Sequence, residues 1–112
     1  MSNAIAERIE TIQRFADING REIAQMLGTR EETISRWRGG KSEPQPKTRD
    51  SLLQLGWLVS QLAELYEPKE AHLWLFSPHK LLNGERPVDL IQRGETERIL
   101  RVIAQLKDGA YV

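Results

Sequence analysis

The stretch from Arg21 to Trp37, REIAQMLGTREETISRW, constrains the fold more than any other part of the chain. Ile23, Ala24 and Leu27 fall on one side of a first helix, and Ile34 and Trp37 turn the apolar side of a second helix inward. Gly28 lies between them, where the backbone must reverse and glycine tolerates the left-handed geometry. Thr29 with Glu32 reads as a capping box opening the second helix. Two short amphipathic helices joined at a glycine make a helix-turn-helix. A plain helical hairpin in a bundle core would use some of the same residues, but six constrained positions agree on the more specific unit.

A helix-turn-helix sets its second helix in the DNA major groove. With Ile34 and Trp37 inside, the outward face holds Glu32, Ser35 and Arg36, with Thr33 to one side and Thr29 and Arg30 at the helix start. Arg36 suits guanine O6 and N7. Glu32 either accepts from a cytosine amino group or only closes the capping box. Arg38, Lys41 and Lys47 are placed for phosphates, which fix register without reading sequence.

The formal net charge of the 112 residues is zero, unusual for a chain whose only partner is DNA. The charge is uneven, however. Thr29 to Arg49 holds six bases and three acids, and the remainder carries an equal acidic excess. A basic patch on a neutral body fits DNA binding, as a dimer, and leaves room for a second partner.

The rest of the chain reads as helices. Ile5, Ile9, Ile12 and Phe15 recur at helical spacing from about Ala4 to Asp17, with Asn19-Gly20 as the turn that closes the segment. Gly39-Gly40 stops the second hairpin helix, and Lys41 to Lys47, with Pro44 and Pro46, reads as a loop. Ser51 and Gln54 offer a capping box for a long helix striped by Leu52, Leu55, Leu58, Val59, Leu62 and Tyr66. Pro68 opens a helix with Ala71, Leu73, Trp74 and Leu75. Ser77-Pro78 reads as a cap and first turn, Asn83-Gly84 as a turn, and Pro87 to Gly94 as a short helix. Ile99, Val102, Ile103 and Leu106 stripe a last helix that Gly109 ends. No stretch alternates with period two. The expectation is therefore an all-α fold: a Cro/repressor-like helix-turn-helix bundle with its connecting helix over 1–66, and a small helical domain over 67–112.

The same reading excludes several classes. Cysteine is absent, so no disulfide framework or thiolate zinc site exists. His72 and His79 lack metal-ligand spacing, no serine has a glycine-framed nucleophile pattern, and no phosphate-cradling glycine loop occurs. The expectation is no enzyme, no cofactor and no metal. Apolar runs such as Leu73 to Phe76 are too short to cross a membrane, and no charged leader precedes an apolar run, which predicts a cytoplasmic chain. The apolar terminus after Gly109 is costly to leave in water. It is either tucked back or docked on a partner.

With these residues in hand, the first half resembles Xre-type helix-turn-helix proteins of the Cro and repressor class, at Ala24, Gly28, Ile34 and Trp37 and on through Gly39-Gly40 and Pro44. The second half, from Trp74 to the end, resembles the toxin-binding domain of Xre/MbcA/ParS antitoxins. Its markers are Trp74, Pro78, Leu82, Gly84, Pro87, Leu90, Gly94, Val102, Gly109 and Tyr111. The resemblance implies a type II antitoxin that neutralises a RES-domain, NAD-consuming toxin and represses its own promoter. It implies toxin contacts at Trp74, Asn83, Gly84, Pro87, Lys107, Gly109, Tyr111 and Val112, with the tail from Lys107 near the toxin's active-site cleft. The competing expectation is a helix-turn-helix regulator without a toxin, its second half used for dimerisation.

Overall fold

A computed structural model describes residues 3–109 of the chain. Seven α-helices run in the order α1 (Ala4–Ala16), α2 (Gly20–Leu27), α3 (Glu31–Arg38), α4 (Pro46–Leu62), α5 (Pro68–Phe76), α6 (Pro87–Gln92) and α7 (Thr96–Lys107), with a 3₁₀ turn at Lys80–Leu82. Among the described residues there is no strand, only an isolated bridge between His79 and Glu85. The fold is all-α, as the periodicity requires.

Local hydrogen bonding decides where each helix begins, and it differs from the sequence reading at four places. Asp17 supplies the left-handed residue that ends α1, at φ 53°. Asn19 does not close α1. It caps α2, its Oδ1 accepting the Glu22 N–H at 2.8 Å while Glu22 Oε1 accepts the Asn19 N–H at 3.0 Å. The expected Thr29–Glu32 box does not form, because Thr29 closes the preceding helix. Its N–H reaches back to the Ala24 carbonyl at 2.8 Å past Gly28 at φ 70°, the bond that finishes a left-handed helix end. Arg30 stands at the N-cap of α3 with no side-chain cap, and Glu31 and Glu32 supply negative charge in the first turn.

The loop expected over Lys41 to Lys47 is shorter than the prolines suggest. Pro46 is the first residue of α4, a position that needs no N–H, so Lys47 is helical. Ser51 is therefore interior and donates its hydroxyl to the Lys47 carbonyl. Ser77-Pro78 ends α5 and opens nothing. Ser77 donates to the Leu73 carbonyl at 2.6 Å, and Pro78 leads into a tight loop in which Gly84 N–H meets the His79 carbonyl at 2.8 Å.

Packing joins the two halves. Helix α1 lies along α4 and also against α5, α2 rests on α6, and α4 on α7. Ile9, Ile12, Ile23, Leu52, Leu55, Leu58 and Leu62 belong to the same buried cluster as Leu75, Leu82, Leu90, Ile99 and Ile103. Each fully buried residue of this kind contributes about 1.5–3 kcal/mol. At the α1–α4 seam the Arg8 stem crosses Gly56 so closely that a Cβ there would lie 2.1 Å from Arg8 Cδ. Glycine lets the two helices approach at that point.

Candidate DNA-reading and partner-binding surfaces

Helix α3 presents the surface that its sequence requires. Ile34 (2 % exposed) and Trp37 (5 % exposed) are buried, and Glu32, Ser35 and Arg36 are exposed on the other side. Thr33 and Thr29 are half-buried, and Arg30 is exposed at the helix start. Glu31, Glu32, Ser35 and Arg36 line one shallow concavity. The expected DNA-facing residues of α3 therefore share a face, apart from Arg38. Its Nη1 donates to Gln13 Oε1 at 2.7 Å, which ties the end of α3 to α1.

Charge pairing differs around α3 and around α6 and α7. Among the described residues, Arg30, Arg36, Lys41, Lys47 and Arg49 have no ion pair, and Arg21 meets Glu31 only at 3.9 Å with both side chains exposed. These cations stay available to an external anion. The start of α4 also carries an exposed Lys47 and has no acid in its first turn. Its N–H groups and positive dipole end favour a phosphate. Sequence reasoning found Lys47 but placed it in a loop. Pro46, a residue favoured at the first helical position, was the available signal.

Among the described residues of the C-terminal half, Arg86, Arg93, Arg98 and Lys107 are held by acids, while Lys69, Lys80 and Arg101 are not. Arg93 bridges Glu85 (2.7 Å) and Glu95 (2.8 Å), and Arg98 bridges the same two at 3.4 and 2.9 Å, closing a four-residue ring. Arg86 makes a two-pronged pair with Asp89, both bonds 3.0 Å. Hydrogen bonds from Arg93 and Arg98 hold the Glu95 carboxyl below the usual carboxylate range, and Arg86 does the same for Asp89. The ring ties the His79–Glu85 loop to the end of α6 and the start of α7.

The residues expected to contact a partner protein divide by exposure. Asn83 (φ 59°) and Gly84 (φ 81°) stand exposed at the tip of that loop, and Gly109 is exposed after α7. Trp74 is only 9 % exposed, its ring tilted against that of His79 with centroids 4.5 Å apart, and His79 Nε2 donates to the Trp74 carbonyl at 2.6 Å. Pro87 is buried as the first residue of α6. The side chains of Trp74 and Pro87 thus shape the surface from beneath and have little area to offer a partner. Lys107 pairs with Glu64 at 2.9 Å and also bonds Gln61, which joins α7 to the end of α4. Tyr111 and Val112 lie outside the described residues.

Sequence reasoning missed Trp57. It is 56 % exposed on α4, beside a groove lined also by Gln61, Leu100, Ile103 and Ala104. Its place off the Leu52–Leu55–Val59 stripe was the available signal. Leu73 and Leu81 are also exposed, at 65 % and 46 %. Among the described residues no group of His, Asp or Glu could hold a metal, and no helix is long and apolar enough to cross a membrane.

Residues 61–109 match the family described as the antitoxin Xre/MbcA/ParS C-terminal toxin-binding domain. The chain is 27 % identical to the mycobacterial cidal antitoxin MbcA of Mycobacterium tuberculosis over 98 % of this chain and 97 % of that protein. It is 29 % identical to a probable mycobacterial cidal antitoxin, Rv3188, of the same organism, over 96 % of this chain and 90 % of that one. Its fold superposes on a chain from the crystal structure of the M. tuberculosis MbcT–MbcA toxin–antitoxin complex with a TM-score of 0.87, at 28 % identity, covering 99 % of this chain and all of that one. Domain match, whole-length relatives and shared fold agree: residues 61–109 are similar to the toxin-binding domain of Xre/MbcA/ParS antitoxins, and the whole chain is similar in sequence and fold to the MbcA antitoxin.

Proposed function

We propose that this chain is the antitoxin of a type II pair, binding and neutralising a RES-domain, NAD-consuming toxin through residues 67–112. Residues 1–66 bind the operon's promoter as an autorepressor, with α3 in the major groove. The protein is not an enzyme, works in the cytoplasm and meets its operator as a homodimer, which doubles a modest basic patch. The observation that carries the antitoxin reading is the match of nearly the whole chain to one from a toxin–antitoxin crystal structure. The promoter reading is supported by the unpaired cations around α3 and the α4 N-terminus, beside a C-terminal half in which Arg86, Arg93 and Arg98 are occupied by acids.

The test is co-expression with the neighbouring reading frame. The expected result is copurification of the two proteins, rescued growth and restored cellular NAD. Continued toxicity without a stable complex would overturn the antitoxin reading. Deleting Gly109 to Val112 should abolish toxin inhibition and leave promoter binding intact. Unchanged inhibition would remove the tail from the mechanism. A regulator without a toxin would bind the promoter and copurify with nothing from its operon.

A further inference from the structure

Helix α2 is held at both ends by side chains of the C-terminal half. At its start Glu22 does two things at once. Oε1 closes the capping box with Asn19, while Oε2 lies 2.9 Å from Nε2 of His72 on α5. An ionised carboxylate only accepts, so His72 Nε2 carries the shared proton. The His72 ring lies on Phe76, centroids 4.4 Å apart and planes 21° off parallel, which fixes the direction of its N–H. His72 and Glu22 are 29 % and 21 % exposed, so the bond is better shielded than the surface pairs of α6 and α7. At the other end of α2, Gln92 of α6 donates to the Gln25 carbonyl at 2.9 Å. That carbonyl is in the last turn, where its backbone partner is only the long 3.4 Å bond from the Gly28 N–H.

A helix of eight residues has too few internal bonds to persist alone. Helix α3 is equally short, lacks a side-chain cap and packs on α2 and α1. Whatever fixes α2 therefore fixes the angle at which α3 meets a groove. We propose that His72, a residue of the toxin-binding domain, is a positioning residue for the helix-turn-helix: through Glu22 it sets the start of α2 and with it the DNA-reading face. The proposal rests on the promoter-binding reading above. The two halves then share a helix as well as a core, and residues that touch no DNA contribute to operator recognition.

The experiment uses the full chain as wild type, His72→Ala, His72→Gln and Ala71→Gly. Binding is measured by fluorescence anisotropy on a duplex from upstream of the chain's own reading frame and on a scrambled duplex of equal length. Amide hydrogen exchange is followed across residues 20–27. His72→Ala should weaken promoter binding about fivefold, the weight of one lost hydrogen bond, with scrambled binding unchanged and exchange in α2 faster. His72→Gln, whose amide N–H can still reach the carboxylate, should recover most of the loss. Ala71→Gly destabilises α5 without touching Glu22 and, with Tm lowered as in His72→Ala, should leave promoter affinity intact. Equal affinity and equal exchange in His72→Ala and wild type would overturn the proposal, as would equal promoter loss in Ala71→Gly. Should wild type fail to distinguish the duplexes, the promoter reading fails, and the α2 exchange rates still decide whether His72 holds the helix.

Discussion

Arg36 and Trp37 are neighbours in the chain with different surroundings: the indole is 5 % exposed in the core and the guanidinium stands in solvent. Helical geometry separates them by about 100° per residue, so a burial signal at Trp37 also decides the direction of Arg36. Arg36→Ala should cost roughly 1–3 kcal/mol of discrimination between operator and random DNA, while chemical denaturation shows stability unchanged. Trp37→Ala should lower stability by about 3–5 kcal/mol, read as a lower denaturation midpoint, and lose DNA binding only through unfolding. Gly28 is a different case. Nothing lies within 4 Å of a Cβ added there, so the cost of Gly28→Ala is backbone strain at φ 70° alone. That strain is worth about 1–2 kcal/mol, and Gly28→Asn, which tolerates the left-handed region, should recover part of it in the same assay.

The elements were legible where burial repeats with the helix and less so where helices begin and end. The stripes Ile5–Ile9–Ile12 and Ile99–Val102–Ile103 predict α1 and α7, because an apolar face must be hidden whatever its neighbours are. Capping residues compete for the same donors, and that competition is not written in their spacing. Thr29 suits a box with Glu32, yet its N–H is already used to finish α2. Ser77-Pro78 suits a helix start, yet its hydroxyl serves the end of α5. The acid ring of α6 and α7 gives a prediction at this scale. The Glu95 and Asp89 carboxyls have folded pKa values below their unfolded values. Their contribution is therefore present above the unfolded carboxylate range and lost as pH falls through the lowered values. Urea midpoints should hold steady near neutrality and fall in acid, with Glu95→Gln showing a shallower fall. High salt should shrink the difference, because these half-buried side chains remain in reach of solvent ions.

On the scale of the molecule, one buried cluster runs through both halves, so the described parts of 1–66 and 67–112 are not separate folding units. The full chain should unfold in a single cooperative transition, with circular dichroism and tryptophan fluorescence superimposing. A fragment ending at Tyr66 should lose protection throughout α1, α2 and α4 in hydrogen exchange, because α5, α6 and α7 cover their apolar faces. Periodicity, glycine placement and the tryptophan of α3 determined by themselves that this chain is helical, contains a helix-turn-helix and turns an arginine outward, since each depends on contacts within one turn or one helix. Only the tertiary structure decided that Trp74 and Pro87 lie beneath the surface, that Arg86, Arg93 and Arg98 are paired with acids while Arg30 and Arg36 are not, and that His72 reaches Glu22. Those facts depend on residues far apart in the chain being brought within a few ångströms, and no local pattern records which distant side chain arrives.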